Sequence, residues 1–192
     1  NQNDTIFNLH TDTSNDNKIA ILFINQGGSE LIRVNCRGSS SNTILDHSYS
    51  ASDSVSNGWT HFVCSWDRDN NTIGMYLNGA KVAASTSSIS SFATTANKMY
   101  IGKPGNADNA FFQGHFSNLA LFANVLTDAQ AEELYNNGKP LAMLEGNIKS
   151  RMNLRAWFIL DETSGNFVDS TGSSIVGVPT NSPTQGTTDI PL

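Results

Sequence analysis

Two neighbouring hairpin signals near the middle of the chain constrain its fold most strongly. Residues 59–66 form a β-rich run, residues 67–71 a polar turn, and residues 72–77 a return strand. Asn78 and Gly79 then lead into residues 81–84, and Asn-Gly between alternating apolar residues is the strongest short signal for a hairpin. The segment therefore predicts three consecutive antiparallel strands.

Further β-rich runs continue this pattern on both sides of the hairpins. They cover residues 19–24, 31–36, 43–45, 98–102, 115–121 and 154–160. The runs recur about every 8–12 residues with turn clusters between them, which is typical of an all-β sandwich.

One short helix interrupts the strands. Thr127 and Gln130 have the spacing of a capping box, and Ala131, Leu134 and Tyr135 supply an apolar face. Gly138 stands where the terminating glycine of a helix is expected. We expect this helix to cover one side of the sandwich.

The 192 residues fit one domain of ordinary size. We assign residues 1–178 to the domain and residues 179–192, which are polar and contain Pro183, to a C-terminal tail or linker. The first residues lack the basic and apolar regions of a signal peptide, so none is expected in this sequence, and a mature or excised piece stays open.

The charge balance argues against several classes of partner. Seventeen acidic and eleven basic residues give a net charge of −6. Nucleic acids and anionic membranes both attract clustered Lys and Arg, so neither is an expected partner. The sequence contains no run of about 18 apolar residues, so no membrane-spanning segment is predicted. Only 15% of residues are charged, and a surface of small neutral polar residues is common in extracellular and virion β-proteins.

Cys36 and Cys64 are the two cysteines, too few for a disulfide framework or a cysteine-rich zinc site. Two states stay open: buried free thiols, or a single disulfide if the strands are neighbours and the compartment is oxidising.

The usual catalytic motifs are missing. No strand carries the acid-x-acid alternation that would place two carboxylates together for glycoside hydrolysis. No Gly-x-Ser-x-Gly motif occurs, and the four histidines are not spaced as metal ligands. His61 and His115 lie in predicted strands, where packing or hydrogen bonding explains them. The sequence therefore predicts a protein that is not an enzyme.

Calcium is the one cofactor for which the chain offers ligands, because Ca²⁺ takes carboxylate, amide and carbonyl oxygens from loops. Two predicted loops are rich in such groups; their members are Asp12, Asn15, Asp16, Asn17, Asn106, Asp108 and Asn109. The alternative is that both are ordinary polar loops.

The order of motifs resembles a known family. Trp-Thr-His-Phe-Val-Cys-Ser-Trp-Asp leads into Met-Tyr-Leu-Asn-Gly-Ala-Lys-Val, followed by Gln-Gly-His-Phe-Ser-Asn-Leu-Ala-Leu-Phe and Val-Leu-Thr-Asp-Ala-Gln. From about residue 7 to 138 this is similar to the laminin-G-like and pentraxin-like domains of the concanavalin A-like lectin/glucanase superfamily. The resemblance implies a two-sheet antiparallel jelly-roll sandwich. The tail, with Gly-Lys-Pro at 138–140, Leu-x-Ala-Trp at 154–157, Asp-Ser-Thr-Gly at 169–172 and Asn-Ser-Pro-Thr at 181–184, resembles laminin-G-like domains of phage and large-virus structural proteins.

The resemblance also implies a metal site and shows two departures. By similarity to pentraxins, Asp16 and Asn17 would hold calcium with Asp108, although the glutamates and glutamine of the pentraxin site have no counterpart. The pentraxin disulfide does not carry over, because Cys36 lies on a later strand than the usual partner. Family members also have early strands before Phe7. Either the strand around Trp157 or another chain would fill that place, so we expect a homo-oligomer or a larger assembly.

Together these observations predict a non-enzymatic recognition domain that binds a glycan or surface receptor, with Tyr49 and Asn109 as candidate ligand-binding residues. The alternative is a structural assembly or decoration module of a viral particle, in contact with neighbouring chains and without a small ligand. The expected location is a virion, the extracellular space or a cell surface.

Overall fold

The chain folds into antiparallel sheets. The computed structural model describes residues 2–11, 14–37, 42–53, 58–67, 69–86, 96–105, 110–139, 141–144 and 148–186, with the backbone alone at 2, 11, 14–18 and 26. The strands of this part are β1 (Gln2–Thr11), β2 (Ser14–Gln26), β3 (Ser29–Arg37), β4 (Asn42–Tyr49), β5 (Phe62–Asp67), β6 (Thr72–Leu77), β7 (Ala80–Ser85), β8 (Lys98–Ile101), β9 (Leu119–Phe122), β10 (Leu154–Phe158), β11 (Phe167–Val168) and β12 (Val176–Gly177). Its α-helices are α1 (Asp128–Tyr135) and α2 (Ile148–Arg151), and short 3-10 helices lie at Ala51–Asp53 and Asn136–Gly138.

The first layer is a five-stranded sheet in the order β4-β3-β2-β1-β8. Along β3, Ile32, Val34 and Cys36 are buried while the residues between them are half-buried, so one face of the sheet rests on the core. The predicted runs at 19–24, 31–36 and 43–45 fall in strands of this sheet, as does the run at 98–102 apart from Gly102, which confirms an antiparallel all-β fold.

The start of β2 differs from the prediction. Asp16 and Asn17 were expected in a loop before the strand, but the strand already begins at Ser14, which pairs with Thr11 of β1. Ladder hydrogen bonds come from the backbone, so a polar segment can extend a strand once its partner is aligned beside it.

The second layer contains a three-stranded sheet, β5-β6-β7. Asn78 (φ 49°) and Gly79 (φ 79°) both adopt positive φ, as the predicted Asn-Gly hairpin requires. β5 begins at Phe62 rather than Trp59. Beside the turn, the His61 backbone N–H donates to the Asn78 side chain (3.0 Å) instead of continuing the ladder.

A two-stranded sheet, β9-β10, completes the described part of the second layer. Leu154, Ala156, Trp157 and Phe158 are buried, as expected of the run around Trp157. β9 is shorter than predicted, because residues 115–118 lie outside it.

The buried side chains form two clusters, one on each side of the second layer. Between the two layers, Ile19, Val34, Ile73 and Met75 are almost completely buried. On the opposite face of β5 and β6, Val63 and Tyr76 pack with Leu134 of α1 and with Met152. The second layer is thus apolar on both faces.

Helix α1 has the predicted N-terminal capping box: the Gln130 backbone N–H donates to Thr127 Oγ1 (3.3 Å), and the Thr127 N–H donates to Gln130 Oε1 (2.9 Å). Its end differs from the prediction. Asn136, rather than Gly138, is the left-handed residue that terminates the helix, because asparagine tolerates this conformation. The added one-turn helix α2 was not predicted.

The C-terminal segment is fastened to β10 by a buried carboxylate. Asp169 accepts hydrogen bonds from the Trp157 (2.8 Å), Thr171 (3.0 Å) and Ser173 (3.0 Å) backbone N–H groups and from the Thr171 and Ser173 hydroxyls. Burial alone would raise the pKa of this carboxyl, but the donors stabilise the anion and lower its pKa well below the ordinary value.

Beyond the β11-β12 hairpin, residues 178–186 contain no strand or helix. The boundary predicted at residue 178 stays a prediction.

Candidate functional site

A cavity of about 1,390 Å³ lies between the two layers, which is larger than ordinary ligand pockets of about 300–1,000 Å³. Its floor is the inner face of the five-stranded sheet, including Phe7, Ile21 and Ile32. β5 and β9 stand on either side of it. We distinguish an apolar part between these two strands from a polar part at one end of the sandwich.

The polar end contains a small pocket of about 190 Å³ lined by Asp4, Phe23, Asn25 and Gln113, which we call the rim pocket. The register between strands brings these residues together. Asp4 pairs with Phe23 across β1 and β2, and Asn25 lies two residues further along β2, on the same face. Asp4, Phe23 and Gln113 also line the large cavity, so the two spaces adjoin.

The rim pocket combines a buried acid with accessible amides. Asp4 is 7% exposed, and its carboxylate accepts a long hydrogen bond from the Gln113 backbone N–H (3.4 Å). The exposed Asn25 amide donates to Glu30 (3.3 Å). The pocket thus offers both acceptors and donors around an aromatic ring.

The segment that carries Gln113 is held against β1. The Thr5 backbone N–H donates to the Ala110 carbonyl (2.9 Å), and the Phe112 N–H donates to the Gly102 carbonyl (2.9 Å). A side chain at Gly114 would collide with the Phe112 ring, which packs against Phe116 at 4.7 Å between centroids. Glycine at 114 lets the chain turn closely around that ring.

Aromatic side chains border the cavity beside the rim pocket. The exposed His115 meets the Trp59 ring edge-on, with 6.4 Å between centroids. Tyr49 packs edge-on against Phe23 at 5.4 Å, and its hydroxyl lies 2.7 Å from Thr60 Oγ1. His115 is therefore not a packed strand residue as predicted, since it lies outside β9 and at the surface.

The predicted site residues are distributed as follows. Tyr49 lines the large cavity, but it is half-buried and its hydroxyl is engaged by Thr60. Asn109 and Asp108 lie outside the described residues, as do the side chains of Asp16 and Asn17. No described group of three His, Cys, Asp or Glu side chains could hold a metal. The calcium site stays a prediction, and so does Asn109 as a ligand contact.

Buried titratable groups near the cavity are held neutral. Burial lowers the pKa of His61 to about 4, and its ring lies 5.8 Å from that of Tyr135. Both cysteines are free thiols in this structure, with Cys36 buried and Cys64 half-buried. Burial raises the pKa of Cys36 to about 12, and burial together with the nearby Cys36 raises that of Cys64. None of these groups is poised for acid–base or nucleophilic work at neutral pH.

The described residues around the cavities do not form a hydrolytic centre. Asp4 is the one carboxylic acid among the side chains lining either space, whereas glycoside hydrolysis ordinarily needs two. Elsewhere, His47 Nε2 and the Ser50 hydroxyl both contact Asp53, at 3.2 and 2.9 Å. The carboxylate therefore lies between the histidine and the serine, whereas a catalytic triad has the histidine between the acid and the serine. This cluster fastens the turn after β4.

Sequence reasoning missed most of the rim pocket. Asp4, Phe23 and Asn25 are brought together only by the β1-β2 register, which includes a bulge after Thr5. Gln113 did carry a signal, since it opens the Gln-Gly-His-Phe motif, and polar residues between two strands often bind ligands.

These features define an antiparallel β-sandwich with a polar pocket at one rim. Residues 1–132 match the family Laminin_G_3 of the concanavalin A-like lectin/glucanases superfamily, and the chain belongs to this family.

Two solved structures are similar. One is a candidate carbohydrate-binding protein from Bacteroides ovatus ATCC 8483, with 20% identity and a TM-score of 0.59, covering 100% of this chain and 51% of that one. The chain thus spans about half the length of that protein. The other is an S-layer domain-containing protein from Clostridium thermocellum ATCC 27405, with 17% identity and a TM-score of 0.36, covering 70% of this chain and 63% of that one.

No curated protein matches the sequence. None of the described helices is both long and apolar enough to cross a membrane.

Proposed function

We propose that the domain binds carbohydrate at the rim pocket without cleaving it, as part of an extracellular or surface-displayed protein. The observation that carries the proposal is the composition of the pocket: a buried carboxylate, two accessible amides and an aromatic ring. Sugars present hydroxyl groups that both donate and accept hydrogen bonds, and their apolar faces pack against aromatic rings.

Three further points support this function. The superfamily is named for lectins as well as glucanases, and the similar protein from Bacteroides ovatus is described as a candidate carbohydrate-binding protein. Trp59 and His115 extend the aromatic surface beside the pocket, which would suit a ligand longer than one sugar. A single carboxylic acid favours binding over hydrolysis. The viral context and the homo-oligomer remain predictions.

The test is a glycan array probed with the labelled domain, followed by calorimetric titration of the strongest binder. Gln113→Ala should weaken binding about tenfold, because a hydrogen bond in a site contributes about 1.4 kcal/mol. Asn42→Ala is the matched control, since Asn42 is exposed at the opposite end of β4 from Tyr49 and should leave affinity unchanged. An array without a binder, or equal losses in both variants, would overturn the proposal.

Calcium binding through Asp16, Asn17 and Asp108 is a separate proposal. An ion that binds the native state preferentially raises the melting temperature, so calcium should raise it and a chelator should reverse the shift. Asp108→Asn should reduce the calcium response. A melting temperature that ignores both calcium and chelator would refute the metal site without affecting the rim pocket.

A further inference from the structure

Two carboxylates stand beside the rim pocket on the inner face of the five-stranded sheet. Asp4 lies opposite Phe23, and Glu30 lies opposite Asn25. Because Phe23 and Asn25 are two residues apart on β2, both pairs present their side chains to the same face. β2 runs between the strands that carry the two acids, so Phe23 and Asn25 lie between them.

The two acids differ in how closely they approach a ligand. Asp4 lines the pocket and is 7% exposed. Glu30 is exposed and accepts a hydrogen bond from the amide of Asn25, which also lines the pocket. A ligand in the pocket therefore meets the Asp4 carboxylate directly and the Glu30 charge one side chain away. The buried charge acts more strongly, because it is less screened by water and salt.

The described side chains that line the rim pocket include no Lys or Arg. Lys139 is the one described basic residue that lines the adjoining large cavity. Arg33 is the nearest basic residue along β3, three positions from Glu30 and therefore on the opposite face. On that face Asp46 engages it through hydrogen bonds of 2.7 and 2.8 Å.

Two basic side chains lie outside the described part of the chain, those of Lys18 and Arg68. The Lys18 backbone lies seven residues from Asn25 along β2, which is roughly 23 Å of strand. Arg68 follows the last residue of β5, whereas Tyr49 at the rim contacts Thr60, ahead of the first residue of that strand. Neither sequence position brings a cation to the rim end of these strands.

We propose that the rim pocket selects its sugar by charge: sugars with a free amino group bind most tightly, neutral sugars less tightly, and sugars with a carboxylate, sulfate or phosphate group least tightly. This inference rests on the proposed carbohydrate function and names the sugar class for the same site. An ammonium group donates charge-assisted hydrogen bonds to carboxylates, which are about twice as strong as neutral ones. An acidic sugar instead brings a like charge beside buried Asp4, and such contacts are costly in an interface.

The test uses the 192-residue chain and two sets of methyl glycosides, one based on glucose and one on galactose. Each set contains the neutral sugar, its 6-amino-6-deoxy form and the uronic acid, so that only the group at carbon 6 changes. Titrations at about pH 6.5, where a primary amine is protonated, follow the backbone amides of Asp4, Phe23, Asn25 and Gln113. We expect the amine to bind about tenfold more tightly than the neutral sugar, and the uronic acid about tenfold more weakly.

Three variants locate the source of the preference. Glu30→Gln keeps an oxygen that accepts from Asn25 but removes the charge, and should lower the affinity ratio of amine to uronic acid about threefold. Asp4→Asn should lower the ratio about tenfold, because Asp4 is the buried acid. Glu132→Gln is the matched control, since it removes the same charge from an exposed position of α1 and should leave the ratio unchanged.

The outcomes separate charge selection from carbohydrate binding itself. Uronic acids that bind the rim pocket as tightly as the amino sugars would overturn the charge selection and leave carbohydrate binding intact. A ratio that falls equally in Glu30→Gln and Glu132→Gln would attribute the preference to the net charge of −6 rather than to the pocket, and would also overturn it. If the glycan array yields no binder and none of the six glycosides shifts the rim-pocket amides, both proposals fail.

Discussion

The two layers of the sandwich are built from similar strands but are completed to different degrees. In the five-stranded sheet, every inward residue of β3 from Ile32 to Cys36 is buried, and hydrogen-bonded neighbours flank β3, β2 and β1. In the second layer, Phe62, Cys64 and Trp66 of β5 face the same core but are half-buried. The difference teaches that alternation in sequence specifies which face of a strand is apolar, while burial of that face depends on a neighbouring strand.

The largest expected effect comes from one isoleucine pair on β2. Ile19 and Ile21 share the inner face, but Ile19 is completely buried whereas Ile21 lies on the floor of the large cavity. Ile19→Ala should cost about 4 kcal/mol, because it creates a new cavity. Ile21→Ala should cost only about 2 kcal/mol, because it enlarges an existing one. Urea unfolding measures both free energies, and equal losses would contradict a large cavity beside Ile21 in the folded chain.

The next largest effect concerns the attachment of the C-terminal segment to β10 in the second layer. Asp169→Ala removes the acceptor of five hydrogen bonds that fasten β10, and should lower the free energy of unfolding by about 3 kcal/mol. Asp161→Ala is the control, since Asp161 is exposed and should change stability by less than about 0.5 kcal/mol. Similar losses of unfolding free energy in the two variants would show that the Asp169 hydrogen bonds do not stabilise β10.

Acid should weaken the same contact. The folded-state pKa of Asp169 lies below its unfolded value of about 3.9, so the native anion contributes stability above that pH. The contribution is lost as pH falls through 4 toward the folded-state pKa. Melting curves of the wild type and Asp169→Asn should therefore converge between about pH 4 and pH 2. A constant difference between them over this range would exclude the Asp169 carboxylate as its source.

The smallest expected effect tests the helix that covers the second layer. Thr127→Ala removes the side-chain acceptor of the capping box and should cost about 1 kcal/mol. Thr127→Ser keeps the hydroxyl and should retain most of the stability. If the serine variant lost as much as the alanine variant, packing of the threonine methyl group would be responsible rather than capping.

The sequence was informative where local patterns decide the structure. The Asn78-Gly79 hairpin, the alternating strands of the five-stranded sheet and the capping box at Thr127 are local features, and each was predicted. The early start of β2 was missed, because pairing of polar residues depends on the partner strand. The rim pocket was missed for the same reason: Asp4 and Gln113 are 109 residues apart and meet only through the folded register.

The most direct test of the proposed function is to follow the backbone amide resonances of the domain during titration with the strongest array binder. Carbohydrate binding at the rim pocket predicts that saturable shifts centre on Asp4, Phe23, Asn25 and Gln113 and extend toward Trp59 and His115. Shifts confined to the opposite end of the sheet, around Asn42, or no saturable shift at all, would contradict it.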